Sequence, residues 1–118
     1  MPVDRRAFLR SLIGKPYLAG AEGPDAFDCY GLGRHVLRSL FNVSLPESRS
    51  APVARGAWRK AVMPCDGAVV LMGVGDKHIG VWIAGGVLHA MSATGVVFDD
   101  LHSLRFRGLG RIRMYLST

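Results

Sequence analysis

The stretch Phe27-Asp28-Cys29-Tyr30-Gly31-Leu32-Gly33-Arg34-His35-Val36-Leu37 constrains the fold more than any other part of the chain. Cys29, Leu32, Gly33 and Val36 recur at i, i+3, i+4 and i+7, so a helix here gathers them on one face, and that is the face to bury. Asp25 or Asp28 can cap the helix start. Either choice leaves Cys29 in the first turn, where unpaired N–H groups and the helix dipole favour negative charge. A thiol so placed is biased towards thiolate, with pKa values of roughly 3.5–7.5 known at helix N-termini and beside imidazoles, and the thiolate is the nucleophile. The same residue also suits a small buried hydrophobe with no chemistry. The helix is expected to run to about Phe41, and His35, about 600° around it from Cys29, to lie at the surface or rim.

Before this helix, Asp4 can cap a short amphipathic helix with Phe8, Leu9, Leu12 and Ile13 as its apolar face and Gly14 as its stop. Ala19 to Pro24 reads as a loop. Beyond the cysteine helix, Asn42 to Arg55 reads as a surface connection carrying Pro46, Pro52 and three serines, and Ala57 to Val62 as a helical turn holding Trp58. The pattern then changes. Ala68 to Met72 is a near-continuous apolar run, as in a strand covered on both faces, and His78–Ile83, Val87–Met91, Gly95–Phe98 and Arg111–Leu116 follow as short strands. Helices first and about five antiparallel strands afterwards predict an α+β domain, with the cysteine helix packed on the sheet and Arg111 and Arg113 turned to solvent. A chain of 118 residues suits a single domain, 1–118.

Two histidines in the strand region bear on the cysteine. A turn at Gly85-Gly86 pairs Trp82 with His89 and leaves His78 about 13 Å along the strand, too far for contact. Direct pairing of His78 with His89 instead centres the turn on Ile83-Ala84, sets Gly80 against Val87 and calls for a bulge or wider loop at Ala84 to Gly86. We expect direct pairing. A cysteine with one histidine as base and a second polar group to orient it is the arrangement of cysteine hydrolases.

With these residues in place the chain resembles the NlpC-like cysteine peptidases, papain-fold enzymes that cut the peptide stems of bacterial peptidoglycan. The matching segments are Gly14-Lys15-Pro16-Tyr17, Gly23-Pro24-Asp25-Ala26-Phe27-Asp28-Cys29-Tyr30-Gly31-Leu32, Pro64-Cys65-Asp66-Gly67-Ala68-Val69-Val70-Leu71 and the two histidine segments, in the family's order. The resemblance implies Cys29 as nucleophile, His78 as base and His89 as the group that orients His78 and favours its charged form. It implies an oxyanion site made by the Cys29 N–H and the Tyr17 hydroxyl, with Asp28 capping the helix and contributing to substrate amine recognition in the groove. Three departures stand out: Tyr30 replaces a common serine, Cys65 a common glycine, and the spacing between the histidines is one residue shorter than usual. Cys65 reads as a structural thiol, a redox link to Cys29 staying open, and His102 as a surface residue.

Lys and Arg number 15 against 9 Asp and Glu, a net charge of +6 that favours anionic partners, yet no basic run interleaved with aromatics suggests a nucleic-acid module. No stretch approaches the roughly 18 apolar residues of a membrane span. Arg5-Arg6-Ala7-Phe8-Leu9-Arg10 has the look of a twin-arginine export pattern, but Lys15 and Pro16 interrupt what should be its apolar region. No cofactor is expected, and no metal, since the cysteines and histidines lack the short paired spacings of zinc sites. A compact domain without a credible signal resembles the stand-alone modules of phage tails and gene-transfer particles. That implies synthesis in the cytoplasm, tail hub or tip proteins as partners, and action on stem peptides at the cell wall during DNA delivery. The alternatives are an amidase or acyltransferase on the same scaffold, or a non-catalytic tail adaptor.

A reactive helix-start thiol should alkylate with iodoacetamide well below pH 8 and much faster at Cys29 than at Cys65. Equal, slow rates at the two positions would show that Cys29 is not activated.

Overall fold

The computed structural model describes residues 4–45, 57–73, 75 and 77–117. Helix α1 spans Arg5–Leu12, and Asp4 caps it by accepting from the N–H groups of Arg6 and Ala7. Leu9 and Leu12 are buried, whereas Ile13, expected on the same face, is the exposed C-cap. Helix α2 spans Cys29–Phe41. Its cap is Asp28, not Asp25, and it ends at Asn42 in the left-handed conformation, with φ of 52°.

Six strands follow: β1 (Trp58–Lys60), β2 (Val69–Met72), β3 (His78–Ile83), β4 (Gly86–Met91), β5 (Gly95–Asp99) and β6 (Ile112–Ser117), with a short helix α3 (Leu101–Phe106) between the last two. They form one sheet in the order β1-β6-β2-β3-β4-β5, antiparallel throughout. Two elements differ from the expectation. Trp58 sits in an edge strand and not in a helical turn, because Trp58 to Lys60 pair with Tyr115 to Ser117 and so occupy the outer edge of β6. The segment after β5, given no element from the sequence, forms a helix whose start Asp100 caps, accepting from the Ser103 N–H at 2.8 Å. The stretch from 46 to 56, most of the expected surface connection, lies outside the described residues.

Alternation along the strands gives the sheet two apolar faces. Val69, Val81 and Leu88 pack with Leu32, Val36 and Leu37 of α2, while Val70, Met72, Trp82 and Val87 pack with Leu104 of α3. The apolar run in β2 is thus explained: all four of its residues are buried, because the strand is covered on both sides. Arg111 and Arg113 do face solvent. Asp66 ties the periphery together, accepting from Arg5 of α1 at 2.6 Å and from the Ala84 N–H in the β3–β4 turn at 3.2 Å.

The β3–β4 hairpin follows neither register considered from the sequence. Val81 pairs with Leu88, Trp82 with Val87 and Ile83 with Gly86, so the turn is Ala84-Gly85, with no bulge or wider loop. Both turn residues have positive φ, 53° and 87°, as a tight primed turn requires. Gly86 is needed in the strand instead, since a Cβ there would lie 2.6 Å from Phe98 Cζ and 2.8 Å from the Asp99 carbonyl oxygen.

Gly31 sets two effects against each other. Alanine is the better helix former by about 1 kcal/mol, but a Cβ at this position would lie 2.1 Å from the Ala21 carbonyl oxygen, where the preceding loop crosses the helix. Overpacking against backbone costs about 1–3 kcal/mol. Gly31→Ala should therefore lower the urea midpoint, and a raised midpoint would show that the loop yields freely.

Candidate active site

The loop before α2 places its first residue. Leu18 N–H donates to the Phe27 carbonyl and Phe27 N–H to the Pro16 carbonyl, each at 3.1 Å, bridging Tyr17 to Phe27. Gly14 N–H donates to Val96 and Val96 N–H to Lys15, both at 2.9 Å, which docks the same loop on β5. Asp28 closes it: one carboxylate oxygen accepts from the Gly31 N–H at 2.7 Å, the other from the Gly20 N–H at 2.8 Å. With 3% of its surface exposed, Asp28 is spent on this frame and does not line the groove assigned to it from sequence.

Cys29, half-buried at the start of α2, and His78, half-buried at the start of β3, line one cavity of about 350 Å³ at the end of the sheet. Tyr17, Lys77, Met91 and Leu109 line it too. Cys65 is exposed, and neither cysteine is joined in a disulfide.

His78 and His89 are not directly paired, contrary to the expectation, yet their rings touch. His78 Nε2 lies 2.8 Å from His89 Nδ1, with the ring planes at 78°. The observed register explains this. One step beyond the Val81–Leu88 pair, Gly80 falls opposite His89, and His78, two residues further, is its diagonal neighbour on the same face. Gly80 keeps that diagonal open: a Cβ there would stand 3.1 Å from His89 Cβ and 2.6 Å from Val87 Cγ1. The pattern repeats on the next strand pair. Val97 is opposite His89 and Val87 opposite Asp99, so Asp99 is again a diagonal neighbour, and its Oδ2 lies 2.7 Å from His89 Nε2. Arg107, just past α3, donates from Nε to the same oxygen at 2.7 Å.

The array is buried at its middle, where His89 is 0% and Asp99 6% exposed. Burial, reinforced by the charge of His89, pushes His78 down to about 4, so its resting form at neutral pH is the uncharged imidazole. This corrects the expectation that His89 favours the charged ring: the neighbour is another imidazole, not a counter-ion. His89 is also lowered, burial and the Arg107 charge outweighing the contact with Asp99.

Asp99 and Arg107 escaped the sequence reading. Their one signal was an acidic pair, Asp99-Asp100, closing an apolar strand ten residues after His89. His35 is half-buried between Phe8 and Phe27, its ring 5.8 Å and 5.3 Å from theirs. His102 is exposed against Phe106. Among the described residues no group of three or more His, Cys, Asp or Glu is gathered to hold a metal, and no helix is long and apolar enough to cross a membrane.

Comparison with known proteins gives a consistent result. The model of the NlpC/P60 family matches residues 14–107. A probable endopeptidase of Corynebacterium glutamicum is 34% identical over 98 residues, covering 82% of this chain and 46% of that protein. The probable endopeptidase p60 of Listeria grayi is 32% identical over 92 residues, 76% of this chain and 18% of that protein. The chain thus spans less than half the length of these relatives. In fold it is similar to the NlpC/p60 domain of the peptidoglycan hydrolase SagA, with a TM-score of 0.67, 19% identity, and 96% and 95% of the two chains covered.

The lowered His78 links stability to pH. The unfolded chain titrates this ring near its ordinary 6.5 and the folded chain near 4, so between those values the unfolded state binds more protons and stability falls as the pH falls. Urea unfolding at about pH 7 and about pH 4.5 should show the wild type losing on the order of 1–2 kcal/mol more than His78→Gln. Equal losses in the two proteins would mean that the ring is not held neutral by the fold.

Proposed function

The chain belongs to the NlpC/P60 family, and from that premise we propose that it is a cysteine peptidase that cuts the peptide stems of bacterial peptidoglycan. The observation that carries this reading is the shared groove, which brings a helix-start thiol and an uncharged imidazole to one water-accessible cavity. An uncharged His78 can take the Cys29 proton as the sulfur attacks the carbonyl carbon of the scissile amide. The Cys29 N–H, in the first turn of α2, and the Tyr17 hydroxyl on the groove wall are the donors assigned to the oxyanion. Collapse of the tetrahedral intermediate breaks the C–N bond, and His78 returns its proton to the leaving amine. A water, deprotonated by the same ring, then hydrolyses the thioester, releasing a carboxylate product and the thiol. Lys77, exposed in the groove beside His78, gives the site a cation suited to the carboxylates of stem peptides.

Carriage by a phage-type tail is the part of this reading that comes from the resemblance alone. Co-purification with tail hub or tip proteins in particle preparations tests it. Recovery of the chain solely outside such particles would remove it, leaving the peptidase assignment in place.

Digestion of purified peptidoglycan, followed by mass analysis of the soluble fragments, tests the activity. New amine termini inside stem peptides are expected, with Cys29→Ala slower by about 10³-fold or more. Cleavage at the sugar-linked amide would make the protein an amidase instead, and no products from folded, reduced protein would overturn the hydrolase assignment in favour of an adaptor.

A further inference from the structure

We infer that Asp99, braced by Arg107, dictates which ring nitrogens of His78 and His89 carry protons, and thereby leaves the Nδ1 lone pair of His78 as the base for Cys29. This rests on the catalytic reading above and adds two positioning residues to it. Start from the far end. Arg107 is a donor only, and its Nε–H points at Asp99 Oδ2. An ionised carboxylate is an acceptor only, so the 2.7 Å contact from Oδ2 to His89 Nε2 requires the proton to sit on Nε2. A neutral His89 protonated there presents a lone pair at Nδ1. The 2.8 Å contact from that nitrogen to His78 Nε2 then has one possible polarity: His78 donates. Its own proton is thus on Nε2, and Nδ1 is left bare. The opposite tautomer of His78 would set two lone pairs against each other at that distance.

The fold supplies the fixed end of this series deliberately. Two diagonal steps across β3, β4 and β5 align the three side chains on one face, and Gly80 leaves the first step unobstructed. Helix α3 is only six residues long, yet it returns the chain so that Arg107 reaches back eight positions to Asp99. Among the described residues the charged and titratable groups around His89 are His78, Asp99 and Arg107, and Tyr17, Lys77 and Cys29 share the groove with His78. Among these Asp99 alone is an anion whose position cannot change with the substrate, because it is 6% exposed and bonded on both sides.

Tautomers can be read without substrate, so the outcome is separable from whether peptidoglycan is cut. In ¹⁵N-histidine-labelled full chain carrying Cys29→Ala, which removes the thiol proton, NMR at about pH 7 should show both His78 and His89 as Nε2–H tautomers. Asp99→Asn keeps the shape but offers an NH₂ as well as an oxygen, so the uniform tautomer should be lost. With Cys29 restored, Asp99→Asn should lower kcat by about 10²–10⁴-fold with KM nearly unchanged. A His78 protonated at Nδ1 in the Asp99-containing protein overturns the inference, and that measurement stands even if Asp99→Asn fails to fold. So does an Asp99→Asn protein that keeps the tautomers and a kcat within about twofold of wild type.

Discussion

A 2.8 Å contact between two imidazoles on neighbouring strands is the constraint the rest of this structure serves. It demands a hairpin of fixed register, since a slip of one residue turns one ring to the opposite face. The Ala84-Gly85 turn, with both φ values positive, supplies that register. Asp66 pins the turn from outside, and Gly80 and Gly86 let β4 approach its neighbours on either side. The hairpin is therefore specified less by its apolar residues, which would tolerate other pairings, than by where side chains are missing.

A polar series across a packed apolar face is costly unless every member is satisfied. Leaving one buried donor or acceptor without a partner costs about 1–3 kcal/mol, and more for a charge. Here the fully buried His89 is bonded at both ring nitrogens, and the buried carboxylate of Asp99 meets a guanidinium that is 31% exposed. The charge pair thus ends at solvent, which avoids the full desolvation penalty of a sealed ion pair. At the other end His78 opens on the groove. Polar groups run from the cavity through the core to the surface beside α3, and the short helix exists in its place to close that path.

The α+β order, the extent of the cysteine helix, and strands β2 to β6 were legible because each follows from local periodicity. Trp58 was misread because an edge strand of three residues has no period of its own and exists through its pairing with β6. The hairpin register was missed because contact between His78 and His89 was equated with direct pairing, and Gly85-Gly86 offered the wrong turn as the alternative. In the structure only Gly85 serves it, and Gly86 answers to Phe98 on a strand that sequence alone could not place beside it. Cys29, His78 and Tyr17 could be nominated from spacing and resemblance, and they do line one groove. Asp28 could not be separated into cap or substrate contact, because both need an acid before the cysteine. Asp99 and Arg107 were invisible for a related reason: their meaning depends on a diagonal across β4 and on the return of a six-residue helix.

The decisive test is whether the thiol and the imidazole act on one reacting centre. A crystal structure of the protein with a stem-peptide aldehyde, which a catalytic thiol adds to reversibly, shows this directly. The expected density is a thiohemiacetal at Cys29 with its oxygen at the start of α2 and His78 Nδ1 within hydrogen-bonding reach of the adduct. An adduct at Cys65, or none, or one at Cys29 with the His78 ring turned away from it, would contradict catalysis by this pair.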